Sequence, residues 1–279
     1  MESLLTDRLA TLSHPHRMGI FRLLMRRCPD QLAAGEIAEV LDFKASTTSV
    51  YLSALRQVEL ISQRRDGTHL FYSINLNAAR DVISDLFVDC CRGRADLCLP
   101  QFGNLSEGIA PGRSLNVLFV CTGNSARSIF AETLLRDLAG DRFNAYSGGN
   151  APKSEMNPLA VEILKSKGHD VSRLRSKSIA EFQGTEAPQM DFVFTVCDRA
   201  ANEECPPWPG QPVTGHWGMP DPVKAKGTLA ERRLVFQQTY GALRNRISSF
   251  ASLSTDQLDR GSLQQQVDDI GKKNATQDS

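Results

Sequence analysis

Val117-Leu118-Phe119-Val120-Cys121-Thr122-Gly123-Asn124-Ser125-Ala126-Arg127-Ser128 is the stretch that decides the fold of the C-terminal part of this chain. Its consecutive apolar residues read as a strand buried on both faces, ending at a cysteine. A short polar loop follows, then Arg127 at the mouth of a helix in which Ile129, Ala131, Leu134, Leu135 and Leu138 recur at helical spacing. Cys-x5-Arg at a strand-to-helix turn is the layout an oxyanion-binding nucleophile needs. Loop N–H groups converge on one point, the helix N-terminus adds partial positive charge, and the guanidinium offers a planar fork to two oxygens. The same field favours thiolate, so a depressed pKa is expected for Cys121. The competing reading, an inert cysteine at a strand end, leaves loop, arginine and helix unexplained.

On these residues the segment from Asn116 to Phe250 resembles the low-molecular-weight protein tyrosine phosphatase fold, in its arsenate reductase branch. What separates reductase from phosphatase lies in Phe192-Val193-Phe194-Thr195-Val196-Cys197-Asp198 and the loop that continues to Glu204-Cys205-Pro206. A phosphatase has no chemical need for further cysteines, whereas reducing As(V) to As(III) takes two electrons from thiols. The resemblance implies that Thr122, Gly123, Asn124, Ser125, Ala126 and Arg127 hold arsenate while Cys121 attacks arsenic. Asp221, in Met219-Pro220-Asp221-Pro222, takes the place of the general acid. Cys197 then attacks the Cys121 sulfur, arsenite departs, and Cys205 moves the disulfide onto the loop. Ser128 either hydrogen-bonds the Cys121 thiolate or caps the helix. Asn124 shapes the loop through its amide. Relatives that hold a monovalent cation behind the loop do so at positions matched here by Asn124, Glu132, Ser147 and Asp191. His216 and Trp217 suit a core or lid role.

The chain has 279 residues, which suits two domains, and a formal net charge of +0, so any DNA affinity must come from a local surface. Seven cysteines without regular spacing, one of them in a reactive loop, argue against an extracellular disulfide framework. Met1-Glu2-Ser3-Leu4-Leu5 is not a basic region leading into a long apolar run, and no stretch approaches a membrane span. A soluble protein of the reducing cytoplasm is the expectation.

Strand and helix signals alternate from residue 115 to 250. Strands are expected at Val117–Val120, Phe143–Ser147, Phe192–Val196 and Val213–His216, and helices at Ser128–Leu138, Asn157–Lys167 and Thr228–Phe250. That alternation implies an α/β domain with a four-stranded parallel sheet, whose ligand binds at the carboxyl ends of the strands. Residues 99–114 have linker character, and residues 251–279 read as a polar tail, disordered or loosely helical.

Residues 1–98 read as an α+β winged helix-turn-helix. Paired amphipathic helices span Leu4 to Leu24, broken near Ser13-His14-Pro15-His16. A short helix from Gly35 to Leu41, a turn at Asp42-Phe43-Lys44 and a second helix capped by Ser46 follow. That second helix is expected to bury Val50, Leu52, Leu55 and Val58. Leu60 to Tyr72 alternates around Asp66-Gly67, a strong hairpin signal. This block resembles the ArsR/SmtB family of repressors. The second helix then enters the major groove with Ser46, Thr47, Thr48, Ser49 and Tyr51, and Arg56 further along. Arg64, Arg65 and His69 on the wing meet phosphates. The family often senses metal through cysteines in the first helix of the motif, but Glu36 to Leu41 holds none. Cys90, Cys91 and Cys98 offer three thiolates to As(III) instead, with Cys90 as a core residue the alternative. Cys28, beside Pro29, reads as structural.

The expectation is therefore an arsenite-responsive repressor, homodimeric through its N-terminal domain, fused to a thiol-dependent arsenate reductase. No cofactor is held tightly, and the reductant is thioredoxin, with glutaredoxin the alternative. The alternative function is a DNA-binding regulator fused to a phosphatase acting on phosphotyrosine or small phosphate esters.

Overall fold

The computed structural model describes residues 2–90, 112–184, 186–203, 208 and 210–272. The chain divides into two compact units, Met1–Leu105 and Ser106–Ser279. Cys91, Cys98 and Cys205 lie outside the described residues, as does most of the stretch 99–114.

In the first unit, α1 (Glu2–Leu12) stops at Ser13, and Pro15 opens α2 (Pro15–Arg26) at a position where a missing N–H costs nothing. A two-residue strand, β1 (Leu32–Ala33), leads into α3 (Ala34–Val40), and a turn leads on to α4 (Ala45–Gln57). The hairpin of β2 (Ile61–Asp66) and β3 (His69–Ile74) closes through Gly67, whose φ of 59° suits a residue without Cβ. The antiparallel order is β1-β3-β2. α5 (Leu76–Asp85) follows, capped by the Asn75 side chain, and runs into a π-helical turn, Leu86–Cys90. Ile20, Leu23, Leu24, Ile37, Leu52, Leu55 and Tyr72 form one core, and Cys28 packs against it half-buried.

Helix α4 buries Leu52 and Leu55 as expected but departs from expectation at its start. It begins two residues earlier, with Lys44 at the cap position and no side-chain cap, so Ser46 does not cap it. Thr48 donates its N–H and its hydroxyl to the Lys44 carbonyl, at 2.9 and 3.1 Å, and is buried with Leu52 and Leu55. Val50 turns outward instead.

The second unit is built on β4 (Leu115–Cys121), buried without a break from Val117 to Cys121, as a strand covered on both faces must be. Around it stand α6 (Arg127–Ala139), β5 (Phe143–Gly149), α7 (Pro158–Ser166) and β6 (Phe192–Thr195). The short α8 (Asp198–Asn202), β7 (Val213–His216) and α9 (Leu229–Ala251) complete the alternation. All four strands are parallel, in the order β5-β4-β6-β7. Asn157 caps α7, and Thr228 with Glu231 forms a capping box on α9. Leu138 faces out of α6 despite its helical spacing.

Of the two readings of the polar tail, disordered or loosely helical, residues 260–272 follow the helical one: they form α10 (Arg260–Lys272), with Leu263, Val267 and Ile270 buried. The Gln264 amide donates to the Thr214 carbonyl on β7 at 2.6 Å, and Trp217 Nε1 donates to the Val267 carbonyl at 3.2 Å. β7 is an edge strand, and three apolar residues at i, i+4 and i+7 suffice to cover it. Trp217 itself is core, stacked on Phe194 with centroids 4.0 Å apart. Among the described residues no helix is long and apolar enough to cross a membrane.

Candidate active site

Cys121 ends β4 and Arg127 opens α6, so the five residues between them must turn sharply. The turn is held from outside. N–H groups of Asn150, Ala151, Lys153 and Asn157 donate to the carbonyls of Cys121, Thr122, Gly123 and Ser125, at 3.3, 2.9, 2.9 and 2.8 Å. Inside the loop, the N–H of Asn124 donates to Cys121 Sγ at 3.1 Å. Asn124 takes a left-handed φ of 41°, which asparagine tolerates. Gly149 is required beside it: a Cβ there would overlap the Thr122 carbonyl at 2.7 Å.

Behind the loop, the buried Asn124 amide donates to Ser128 Oγ (2.9 Å) and Ser147 Oγ (2.8 Å), and its oxygen accepts from the Lys177 N–H (2.7 Å). Ser128 makes no capping bond; its hydroxyl meets Cys121 Sγ at 2.9 Å. Burial is nonetheless the largest influence on Cys121, which is 3% exposed. It pushes the thiol up, with Ser128 pulling against it, nearby Cys197 adding to the rise and Arg127 opposing it. The depressed pKa expected from the sequence is therefore corrected. Arg127, which opposes that rise, donates to the Met219 carbonyl at 3.0 Å and pairs with Asp221 at 3.2 Å.

Of the four residues matched to a cation site, Asn124, Ser147 and Glu132 come together through hydrogen bonds and Asp191 does not. Glu132 accepts from Ser147 and is paired with Lys177 Nζ at 2.9 Å, so an ammonium already stands on that carboxylate. Asp191 lies at the amino ends of the strands, the end of the sheet opposite Cys121, where it accepts from the Asn116 N–H and pairs with Arg113. Lys177 was missed in the sequence because Arg175-Ser176-Lys177-Ser178 has no periodicity and no motif.

Cys197 follows β6 at the head of α8, is 1% exposed, and lies 3.5 Å from Thr122 Oγ1. A second thiol thus stands at the rim of the nucleophile loop. His216, buried one strand over, bonds Thr195 Oγ1 at 2.8 Å and Asp198 at 3.3 Å, in the core role expected of it.

The sequence of residues 116–263 matches the model of the low molecular weight phosphotyrosine protein phosphatases. The chain belongs to that family. Within it, residues of this phosphatase-family domain are 38% identical over 135 positions to an arsenate reductase of Halalkalibacterium halodurans, covering 48% of this chain and 94% of the relative. An arsenate reductase of Bacillus subtilis is 37% identical over 135 positions, with the same coverage. A solved structure described as an arsenate reductase in the phosphate binding state is 28% identical, with a TM-score of 0.38, covering 48% of this chain and 97% of its own.

In the first unit, the residues expected to face DNA divide. Ser46, Ser49, Arg56, Arg64, Arg65 and His69 are exposed, Thr47 and Tyr51 are half-buried, and Thr48 is buried. Buried Thr48 cannot reach a base, which corrects that assignment. Tyr51 OH meets His16 Nδ1 at 3.0 Å, Arg64 bonds Gln31 and Asp66, and Arg65 bonds the Gly67 carbonyl. Cys90 is exposed rather than part of the core.

Proposed function

We propose that the phosphatase-family domain is a thiol-dependent arsenate reductase, and that the N-terminal unit is a winged helix-turn-helix repressor released from operator DNA by its product, arsenite. The observation that carries the enzymatic half is the second buried thiol: Cys197 stands at the loop that holds Cys121, through Thr122. Ester hydrolysis has no use for it.

Arsenate has the shape and charge of phosphate and fits the N–H cradle and the Arg127 fork. A bound dianion draws Arg127 from Asp221, which leaves that carboxylate beside the site to relay a proton. Cys121 Sγ bonds to arsenic as its thiol proton passes to the Asp221 carboxylate, which hands it to one hydroxyl of the arsenate, and that oxygen leaves as water. Cys197 thiolate then attacks Cys121 Sγ. The S–As bond breaks with its electron pair on arsenic, which departs as arsenite, and a Cys121–Cys197 disulfide remains. Cys205 attacks Cys197, frees Cys121 and leaves a Cys197–Cys205 disulfide for an external dithiol. Two thiols besides Cys121 make an internal disulfide, which favours thioredoxin over glutaredoxin and a reducing cytoplasm as the setting.

For the N-terminal half, support comes from the helix–turn–helix of α3 and α4, the hairpin that follows, and exposed Arg56, Arg64, Arg65 and His69. Leu4 and Leu9 on α1 and Ile83 on α5 are exposed large apolar side chains, material for a homodimer interface. Cys90, Cys91 and Cys98 are the arsenite ligands of this reading, with Cys90 open to solvent.

The test of the enzyme is arsenate turnover with thioredoxin, thioredoxin reductase and NADPH, beside hydrolysis of p-nitrophenyl phosphate. Ester hydrolysis without arsenate turnover would leave a phosphatase. The test of the switch is gel-shift titration with arsenite. A 100-fold loss of DNA affinity, about 2.7 kcal/mol of coupling, is expected in the wild type and not in the triple Cys→Ser variant. Equal release of both would move the sensor elsewhere.

A further inference from the structure

Val50 is 65% exposed, the most open large apolar side chain among the described residues. It sits on a helix whose inner side is Thr48, Leu52 and Leu55. At 100° per residue, Ser46, Ser49, Val50 and Ser53 share the opposite side. Ser46 and Ser49 are exposed beside it, and α4 carries no acidic residue at all.

That face is unusual for a helix in water. Solvent-facing positions ordinarily take glutamate, lysine, glutamine or alanine, which favour the helix. Here Ser46-Thr47-Thr48-Ser49-Val50 are five weaker helix formers in a row, and burial accounts only for Thr48. Neither helix propensity nor core packing explains an exposed valine between serines. A surface that must approach another one closely does explain it. Short hydroxyl side chains and one stiff β-branched side chain keep the backbone near its partner and lose little freedom on contact.

We propose that Val50 is a specificity-determining residue that packs its methyl groups on the 5-methyl group of a thymine in the major groove. The proposal rests on the reading of the N-terminal unit as a DNA-binding module. Thymine alone presents a methyl group in that groove. A valine offers nothing to a phosphate, so a contact made by Val50 must be with a base edge. Lys44 at the start of α4 and Arg56 near its end, both exposed, stand ready for the flanking phosphates.

The test uses the full chain. A duplex selected by the wild type from a random library is remade with each thymine in turn replaced by deoxyuridine, which removes only the methyl group. Affinity is read by fluorescence anisotropy. At one thymine per half-site the replacement should weaken wild-type binding about fourfold, the worth of one buried methyl group. In Val50→Ser that sensitivity should vanish, and in Val50→Thr, which keeps one methyl, part of it should remain. Equal deoxyuridine profiles for wild type and Val50→Ser would overturn the proposal. So would an altered sedimentation coefficient of Val50→Ser with an unchanged profile, because Val50 would then face a second copy. Failure of the wild type to enrich any sequence would instead remove the DNA-binding reading, together with everything that rests on it.

Discussion

The loop at Cys121 and helix α4 are both read as meeting an anion, and they are built in opposite ways. The loop is closed on itself: its carbonyls are tied to residues 150–157, and Asn124 bonds both Ser128 and Ser147 in the interior. Helix α4 spends its polar side chains outward, where Ser46, Ser49 and Arg56 meet solvent. A small oxyanion undergoing chemistry needs donors fixed in advance. A long polyanion is held by many weak contacts that adapt. Mutations should therefore have large, sharp effects at the first site and small, graded ones at the second.

The largest effect tests that contrast directly. Cys121→Ser should lower arsenate turnover by about a thousandfold or more, the usual consequence of removing a nucleophile, while gel shifts with DNA stay unchanged. Retained turnover would break the mechanism.

Next comes the ion pair behind the loop. Lys177 and Glu132 side chains are 9% and 12% exposed, so Lys177→Met leaves a carboxylate with little water to replace its partner. Urea unfolding of the catalytic unit should show a loss of about 3 kcal/mol, and Lys177→Met with Glu132→Gln should recover part of it. An unchanged midpoint would mean the pair is incidental.

Ser128→Ala is expected to act through pH. Burial raises the Cys121 thiol and Ser128 pulls it down, so removing the hydroxyl raises it further. Alkylation of Cys121 by iodoacetamide rises with pH on a limb above the ordinary thiol value of about 8.5, and the variant's limb should lie higher still. One pH unit of displacement corresponds to about a tenfold slower reaction at neutral pH, recovered in alkali. Superimposed limbs would assign Ser128 a purely structural role.

The smallest effect belongs to the wing. Arg65→Ala should weaken DNA binding a few-fold on every sequence and reduce the salt slope by about one, read from anisotropy titrations at several salt concentrations. A loss confined to one sequence would move Arg65 from phosphate to base.

Much of the catalytic unit was legible because its signals are local. Val117 to Ser128 carries strand, loop and helix in twelve consecutive residues, and the loop closes where the motif says it must. Caps at Asn157 and Thr228 act within three residues of themselves. Lys177 was not legible, because its partner Glu132 is brought to it by the packing of distant segments. The inner face of α4 was only partly legible: at about 100° per residue Val50 stands about 200° from Leu52 and faces out, while Thr48, about 40° from Leu52, is buried with it.

By itself, then, the sequence determined the alternation of strands and helices, the position of Cys121 and Arg127 at a strand's carboxyl end, and the cysteines from which a relay could be drawn. Those follow from periodicity and short-range stereochemistry. The tertiary structure decided what the side chains do there. Burial pushes the Cys121 thiol up where the motif promised the reverse. Lys177 stands on the carboxylate expected to hold a cation. A polar tail becomes α10 because an uncovered edge strand gives three apolar residues something to bury against. Desolvation and long-range pairing depend on neighbours that the local sequence does not contain.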